Sequence, residues 1–367
     1  MATKERYGER LRRLRREMAR TGLSALLISR PENRRYMSGF EAADEQLDES
    51  TGRLLITMQR AYLLTDSRYE IQARRETTEY EVLIYRVSPI QTLASLAKRH
   101  RVARLGFEAD HLTVAFHKEM RRVMKGVRLA PAAGLVERLR QNKDASEVRL
   151  MARALKITEE ALAKTFDFLG PGRSEIEVAR FLEEAMVNLG AEGPAFRTIV
   201  ASGPNAAMPH AVPTDRRVKE SETVIIDCGA MIRGYRADIT RTIILGRPRP
   251  WMMEVYRTVR RAQLRALEGL RPGLPTDQAD ALAREVIEAA GYGPHFGHAL
   301  GHGVGLATHE APGVSRMRPV ALEPGMVVTV EPGIYLPGRG GVRLEEMVLI
   351  TENGLRLLNR DRTFYDF

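Results

Sequence analysis

Thr223-Val224-Ile225-Ile226-Asp227-Cys228-Gly229 decides the reading of this 367-residue chain, because it has an echo in Val327-Val328-Thr329-Val330-Glu331-Pro332-Gly333. Each is a β-branched apolar run ending on a carboxylate, with glycine two positions on, and each reads as a buried strand. A second carboxylate follows in both regions. Asp238 lies in Tyr235-Arg236-Ala237-Asp238-Ile239-Thr240-Arg241-Thr242, and Glu345 in Gly341-Val342-Arg343-Leu344-Glu345. Upstream, Leu169-Gly170-Pro171-Gly172, a helical pattern and Gly190 recur as Leu270-Arg271-Pro272-Gly273, a helical pattern and Gly291. The offset, 172 to 273 and 190 to 291, is 101 residues at both ends. Apolar positions between them match: Phe181 with Leu282, Ala185 with Val286, Met186 with Ile287. A duplicated helix–helix–hairpin unit would carry Asp227 and Asp238 from one half, and Glu331 and Glu345 from the other, to a pseudo-two-fold axis.

Carboxylates at the ends of buried strands are costly to desolvate alone. Four together carry about −4 at neutral pH, which two divalent cations neutralise. With one imidazole, His302, and no thiolate, the donor set suits Mn²⁺ first, with Co²⁺ or Zn²⁺ as alternatives. Strand alternation puts Asp227 and Cys228 on opposite faces, so Cys228 reads as packing; Arg343 and Glu345 share a face. Five of the eight histidines fall between residues 210 and 309. His298 and His302 are four apart, but Gly297, Gly301, Gly303 and Gly305 disfavour a helix there, which excludes a two-histidine helical zinc site. Gly301-His302-Gly303-Val304-Gly305 also lacks the spacing of a dinucleotide-binding turn. It reads as a glycine-rich loop letting small groups approach the metals.

Net charge is +10, from 49 Arg and eight Lys against 47 acidic residues. The arginines are spread along the chain beside glutamates, with no aromatic-interleaved basic patch, so nucleic acid is not expected as a partner. The lone Cys228 excludes an intramolecular disulfide and fits a reducing compartment. No apolar run reaches the roughly 18 residues of a membrane span, and the charged Lys4–Arg20 has no signal core; the expected location is the cytoplasm. Length predicts two domains. The first reads as α/β: helix Lys4–Thr21 (Tyr7, Leu11, Leu14 and Met18 on one face), strands Ser24–Ser29, Arg53–Thr57, Ala61–Thr65, Glu81–Arg86 and Leu105–Glu108, and helices Ser67–Arg75, Ile90–His100 and Thr113–Met124. Asp44–Ser50 reads as an acidic surface loop, Leu129–Gly134 as the boundary, and Lys143–Leu169 as a long helix.

The second region resembles the pita-bread metallopeptidases of the aminopeptidase P and prolidase branch. The Asp227, Asp238, His302, Glu331, Glu345 pattern is complete. The surrounding words agree: the His210 loop, His298-Ala299-Leu300-Gly301-His302-Gly303-Val304-Gly305, His309-Glu310-Ala311-Pro312, Glu331-Pro332-Gly333-Ile334-Tyr335 and Gly341-Val342-Arg343-Leu344-Glu345. Pro31–Phe40 and Leu64–Ala73 resemble the N-terminal domain of creatinase and prolidase. The resemblance implies an α/β creatinase/prolidase-like domain over residues 1–132, then an α+β pita-bread catalytic domain with pseudo-two-fold duplication over 133–367. It implies two-metal hydrolysis of the bond before proline, in short peptides with proline second, by an Xaa-Pro aminopeptidase or dipeptidase. In that scheme Asp227 chelates one ion, Asp238 and Glu345 bridge both, and His302 and Glu331 complete the other. Glu331 also moves the proton, His309 stabilises the oxyanion, and His210 meets the scissile amide. His298 and Arg343 line the proline pocket or hold a substrate carboxylate. A homodimer is implied, with the first domain narrowing the cleft and Arg34, Arg35 and Glu41–Ser50 reaching a neighbouring subunit. Two rivals differ in class: a same-fold hydrolase of a small non-peptide compound, and a non-catalytic peptide-binding module, which the intact ligand set disfavours.

Overall fold

A computed structural model describes residues 2–44, 46 and 49–365, with side chains from residue 6 onward. Two compact units result, Met1–Arg140 and Gln141–Phe367. The expected boundary after residue 132 moves to 140 because helix Leu135–Gln141 belongs to the first unit. Leu135, Val136 and Leu139 are buried, the Tyr36 hydroxyl donates to the Leu139 carbonyl, and Arg140 donates to Asn33 Oδ1.

The first unit is built on a mixed six-stranded sheet of β1 (Ala25–Ile28), β2 (Arg53–Thr57), β3 (Ala61–Thr65), β4 (Glu81–Ile84), β5 (Arg104–Phe107) and β6 (Arg128–Pro131), in the order β4-β3-β2-β1-β5-β6. β1 runs antiparallel to β2 and parallel to β5. Helix Ala2–Arg20 buries Tyr7, Leu11, Leu14 and Met18, the 3.6-residue stripe of an amphipathic helix. Besides helix Leu135–Gln141, two elements were not expected. Helix Pro31–Ser38 starts on a proline, which needs no N–H partner in a first turn, and ends at Gly39 with φ 82°. β6 occupies the stretch expected to be the boundary, and Pro131 is tolerated because β6 is an edge strand.

The acidic loop is only partly a surface feature. Arg34 is fully buried, donating to Asp44 and to the carbonyls of Ala42 and Gly52, and the Asp44 side chain is 5% exposed. Arg34 is therefore a structural cation inside its own unit rather than a group reaching outward. Glu45, Leu47 and Asp48 lie outside the described residues.

The second unit carries the duplication. Helix Ala145–Phe168, started by an Asp144/Glu147 capping box, packs with Glu175–Asn188, and Pro250–Gly269 packs with Thr276–Ala289. Strand Thr223–Cys228 pairs antiparallel with Ile239–Ile244, and Val327–Val330 with Glu346–Thr351. Asp238 and Glu345 each stand one residue before a six-residue strand. The halves join where Glu345 N donates to the Thr240 carbonyl and the Thr242 hydroxyl to the Arg343 carbonyl. Among the described residues no helix is long and apolar enough to cross a membrane.

Candidate active site

That join brings the two carboxylate pairs together. Asp238 and Glu345 are buried, and one ligand atom from each of Asp238, His302 and Glu345 lies within 4.8 Å of the other two. His302 Nε2 stands 3.2 Å from Glu331 Oε1 and 3.8 Å from Asp238 Oδ2. Its Nδ1 is 3.1 Å from the Gly303 carbonyl. A carbonyl only accepts, so the contact places the proton on Nδ1 and turns Nε2 toward the carboxylates. Asp227 Oδ2 accepts from Arg343 Nη2 at 2.6 Å, Glu331 Oε1 from the Thr329 hydroxyl, and Glu345 Oε2 from the Thr240 hydroxyl.

The electrostatics are those of a cation site. Burial, then the neighbouring carboxylates, pushes Asp238 and Glu345 well above the ordinary carboxylate range. Burial also raises Asp227, against the Arg343 charge. Glu331 alone is held low: burial raises it, but the hydrogen bond and charge of His302 outweigh that. Asp227 Oδ1 and Glu345 Oε1 are buried without a hydrogen-bond partner. Unsatisfied, mutually repelling carboxylate oxygens beside an imidazole fit one or more divalent cations with a preference for oxygen.

Nine residues expected at the site line one cavity of about 630 Å³: the five ligand candidates with His210, His298, His309 and Arg343. The His302 and His309 rings meet edge to face, centroids 4.1 Å apart, and burial, then the His302 charge, lowers the pKa of His309. His298 Nε2 lies 2.9 Å from the Tyr335 hydroxyl. Arg343 is committed on every nitrogen: Nη2 to Asp227, Nη1 to Tyr335 and the Pro209 carbonyl, Nε to the Thr240 hydroxyl. The buried Cys228 stands on the far side of its strand from the cavity, as alternation predicts.

One expectation is corrected. The Gly301–Gly305 glycines do not open a path to the metals. Gly301–Gly303 is a strand, and a Cβ on Gly301 would lie 2.0 Å from the Thr329 carbonyl oxygen, one on Gly303 2.5 Å from that of Ala311. Gly301 and Gly303 admit neighbouring backbone, which seats His302, and a Cβ on Gly305 would meet the Glu310 carboxylate. Among the lining residues that were not expected are Tyr335 and Arg197. Tyr335 ends Glu331-Pro332-Gly333-Ile334-Tyr335, and alternation from Gly333 along strand Gly333–Leu336 aims it inward. Arg197 lines the cavity, is exposed, and pairs with no carboxylate among the described residues; no local pattern marks it.

Comparison with known proteins agrees with this architecture. Residues 149–352 match the model of metallopeptidase family M24, and residues 10–141 that of the creatinase/prolidase N-terminal domain. The chain is 34% identical to the Xaa-Pro dipeptidase of Pyrococcus horikoshii over 96% of this chain and 97% of that one. The solved Xaa-Pro dipeptidase of Bacillus anthracis superposes with a TM-score of 0.93 at 39% identity, covering 97% and 98% of the two chains. The X-Pro aminopeptidase of Thermotoga maritima gives 0.86 at 35%, covering 94% and 98%. With its duplicated helix–helix–hairpin halves and converging carboxylates, the chain belongs to metallopeptidase family M24, a pita-bread enzyme preceded by a creatinase/prolidase N-terminal domain.

Proposed function

We propose that this metallopeptidase hydrolyses the peptide bond preceding proline, with two divalent ions, Mn²⁺ first and Co²⁺ or Zn²⁺ as alternatives, held by Asp227, Asp238, His302, Glu331 and Glu345. The observation that carries the proposal is the convergence of these groups with two buried carboxylate oxygens left unpartnered. The proline specificity is supported by the relatives' activities. When bound, the ions supply Lewis acidity and a water acidic enough to attack near neutral pH. Glu331 would accept the attacking water's proton on a carboxylate oxygen and return it to the leaving amine. His309, at the cavity mouth, donates to the developing oxyanion. His210 meets the scissile amide, and His298, bonded to Tyr335, shapes the proline pocket.

Arg343 faces the cavity but is spoken for; it orients Asp227 and leaves little capacity for a substrate carboxylate. Arg197 has that capacity, which favours the dipeptide over longer peptides. A homodimer belongs to the same reading. The deciding assay compares Ala-Pro with Ala-Pro-extended peptides on apo protein, each metal added back singly. Chelation abolishes turnover, Mn²⁺ or Co²⁺ restores it best, and Ala-Pro is cut faster. Full turnover by verified metal-free protein would overturn the mechanism; faster cutting of the extended peptide would make the enzyme an aminopeptidase.

A further inference from the structure

The first unit contains a buried cation that no carboxylate contacts directly among the described residues. Arg53, the first residue of β2, is 8% exposed. Its guanidinium makes no ion pair or hydrogen bond among the described residues, and Nε is buried without a partner. It stands over the Phe116 ring, whose centroid is 4.3 Å away. Among the described residues, the carboxylates of this region hold other groups. Glu108 accepts from Ser29 N, the Ser29 hydroxyl, Arg30 N and Asn33 Nδ2, and Asp44 accepts from Arg34 and Thr51. Burial disfavours the Arg53 charge and the Asp44 charge only partly offsets it, so the arrangement suits an anion.

Arg53 lines a cavity of about 210 Å³ with His111, Thr113 and Ala115, at the start of helix Val114–Val123. That helix has no acidic side chain in its first turn, so its N-terminal partial positive charge is uncompensated. The first N–H groups of a helix have no partner within it. The Thr113 hydroxyl accepts from Phe116 N and keeps its own proton to give. A guanidinium fork, a helix N-terminus, a hydroxyl and an imidazole offer donors from several directions, which suits a tetrahedral oxyanion better than a planar carboxylate.

We propose that this cavity is a phosphate-binding site, taking inorganic phosphate or the phosphate group of a small molecule on Arg53, His111, Thr113 and the first turn of helix Val114–Val123. It is independent of the metallopeptidase site and of the substrate assigned to it.

Titration calorimetry of sodium phosphate into the metal-loaded full chain, at constant ionic strength, tests the proposal. Arg53→Met removes the cation. Ala115→Glu keeps Arg53 but brings a carboxylate into the cavity, and serves if the first variant does not fold. Phosphate taken up by the metal centre is common to all three proteins. The wild type is expected to bind one phosphate more than either variant, or to bind it at least about tenfold more tightly. Phosphate is expected to raise the melting temperature of the wild type more than that of either variant. Equal stoichiometry and affinity in all three, or acetate binding as tightly as phosphate, would overturn the assignment.

Discussion

At the scale of the residue, His302 and His309 are adjacent rings with different work. His302 turns Nε2 to Glu331 and Asp238 because Nδ1 is tied to the Gly303 carbonyl. His309 makes no such approach and packs against the His302 ring at the mouth. If His309 acts only on the transition state, His309→Ala lowers kcat and kcat/KM together, by about 10²–10³-fold, with metal content unchanged. Steady-state kinetics with elemental analysis checks this; loss of bound metal would place His309 in the ligand shell. Arg34 and Asp44 are a buried pair in the first unit. Burial raises the Asp44 carboxyl, but Arg34 and Thr51 outweigh it and leave the pKa below its ordinary value. A folded pKa below the unfolded one contributes stability above the unfolded pKa of about 3.9, lost as pH falls through the folded value. Asp44→Asn therefore costs about 3–5 kcal/mol near neutrality by stranding Arg34. The gap from wild type narrows below about pH 4. Denaturant melts from pH 3 to 7 would show it; a gap constant with pH would mean that Asp44 ionisation contributes nothing.

At the scale of the element, the site depends on strands approaching more closely than a side chain allows. Gly301 lies against the Thr329 carbonyl, and strand backbone cannot retreat as a flexible side chain can. Gly301→Ala is expected to destabilise by at least about 1–3 kcal/mol. It should also reduce metal content, because Gly301 carries His302 and Thr329 bonds both His302 N and Glu331. Calorimetry and metal analysis check this; unchanged melting and full metal content would show that the strands can separate harmlessly. Periodicity located most elements because it is local. Tyr7, Leu11, Leu14 and Met18 marked the first helix, and β-branched runs marked the Asp227 and Glu331 strands. Helix Pro31–Ser38 was too short for a stripe to stand out, although its Pro31 start and Gly39 stop were readable. β6 was hidden by Pro131, which signals a break unless the strand is known to lie at an edge.

At the scale of the whole molecule, the four carboxylates repel one another across two halves of a duplicated unit, and bound cations favour the folded state over the unfolded chain, which has no such site. Chelation should therefore speed amide hydrogen exchange in Thr223–Cys228, Ile239–Ile244 and Glu346–Thr351, and leave β1, β2 and β5 unchanged, since the first unit has its own core. Uniform exchange throughout, with and without metal, would contradict a stabilising metal centre. The sequence by itself determined the duplication, the strand ends that carry Asp227, Asp238, Glu331 and Glu345, and the placing of Cys228 away from them. Those features follow from spacing and alternation within a few residues. Tertiary structure alone decided that Arg343 is committed to Asp227 and Tyr335, that Arg34 is buried against Asp44, that Arg197 faces the cavity, and that Arg53 has no hydrogen-bond or ion-pair partner among the described residues. Each depends on which groups fold within a few ångströms of a long, mobile cation, and several of those groups lie far away in the chain, so no local pattern encodes them.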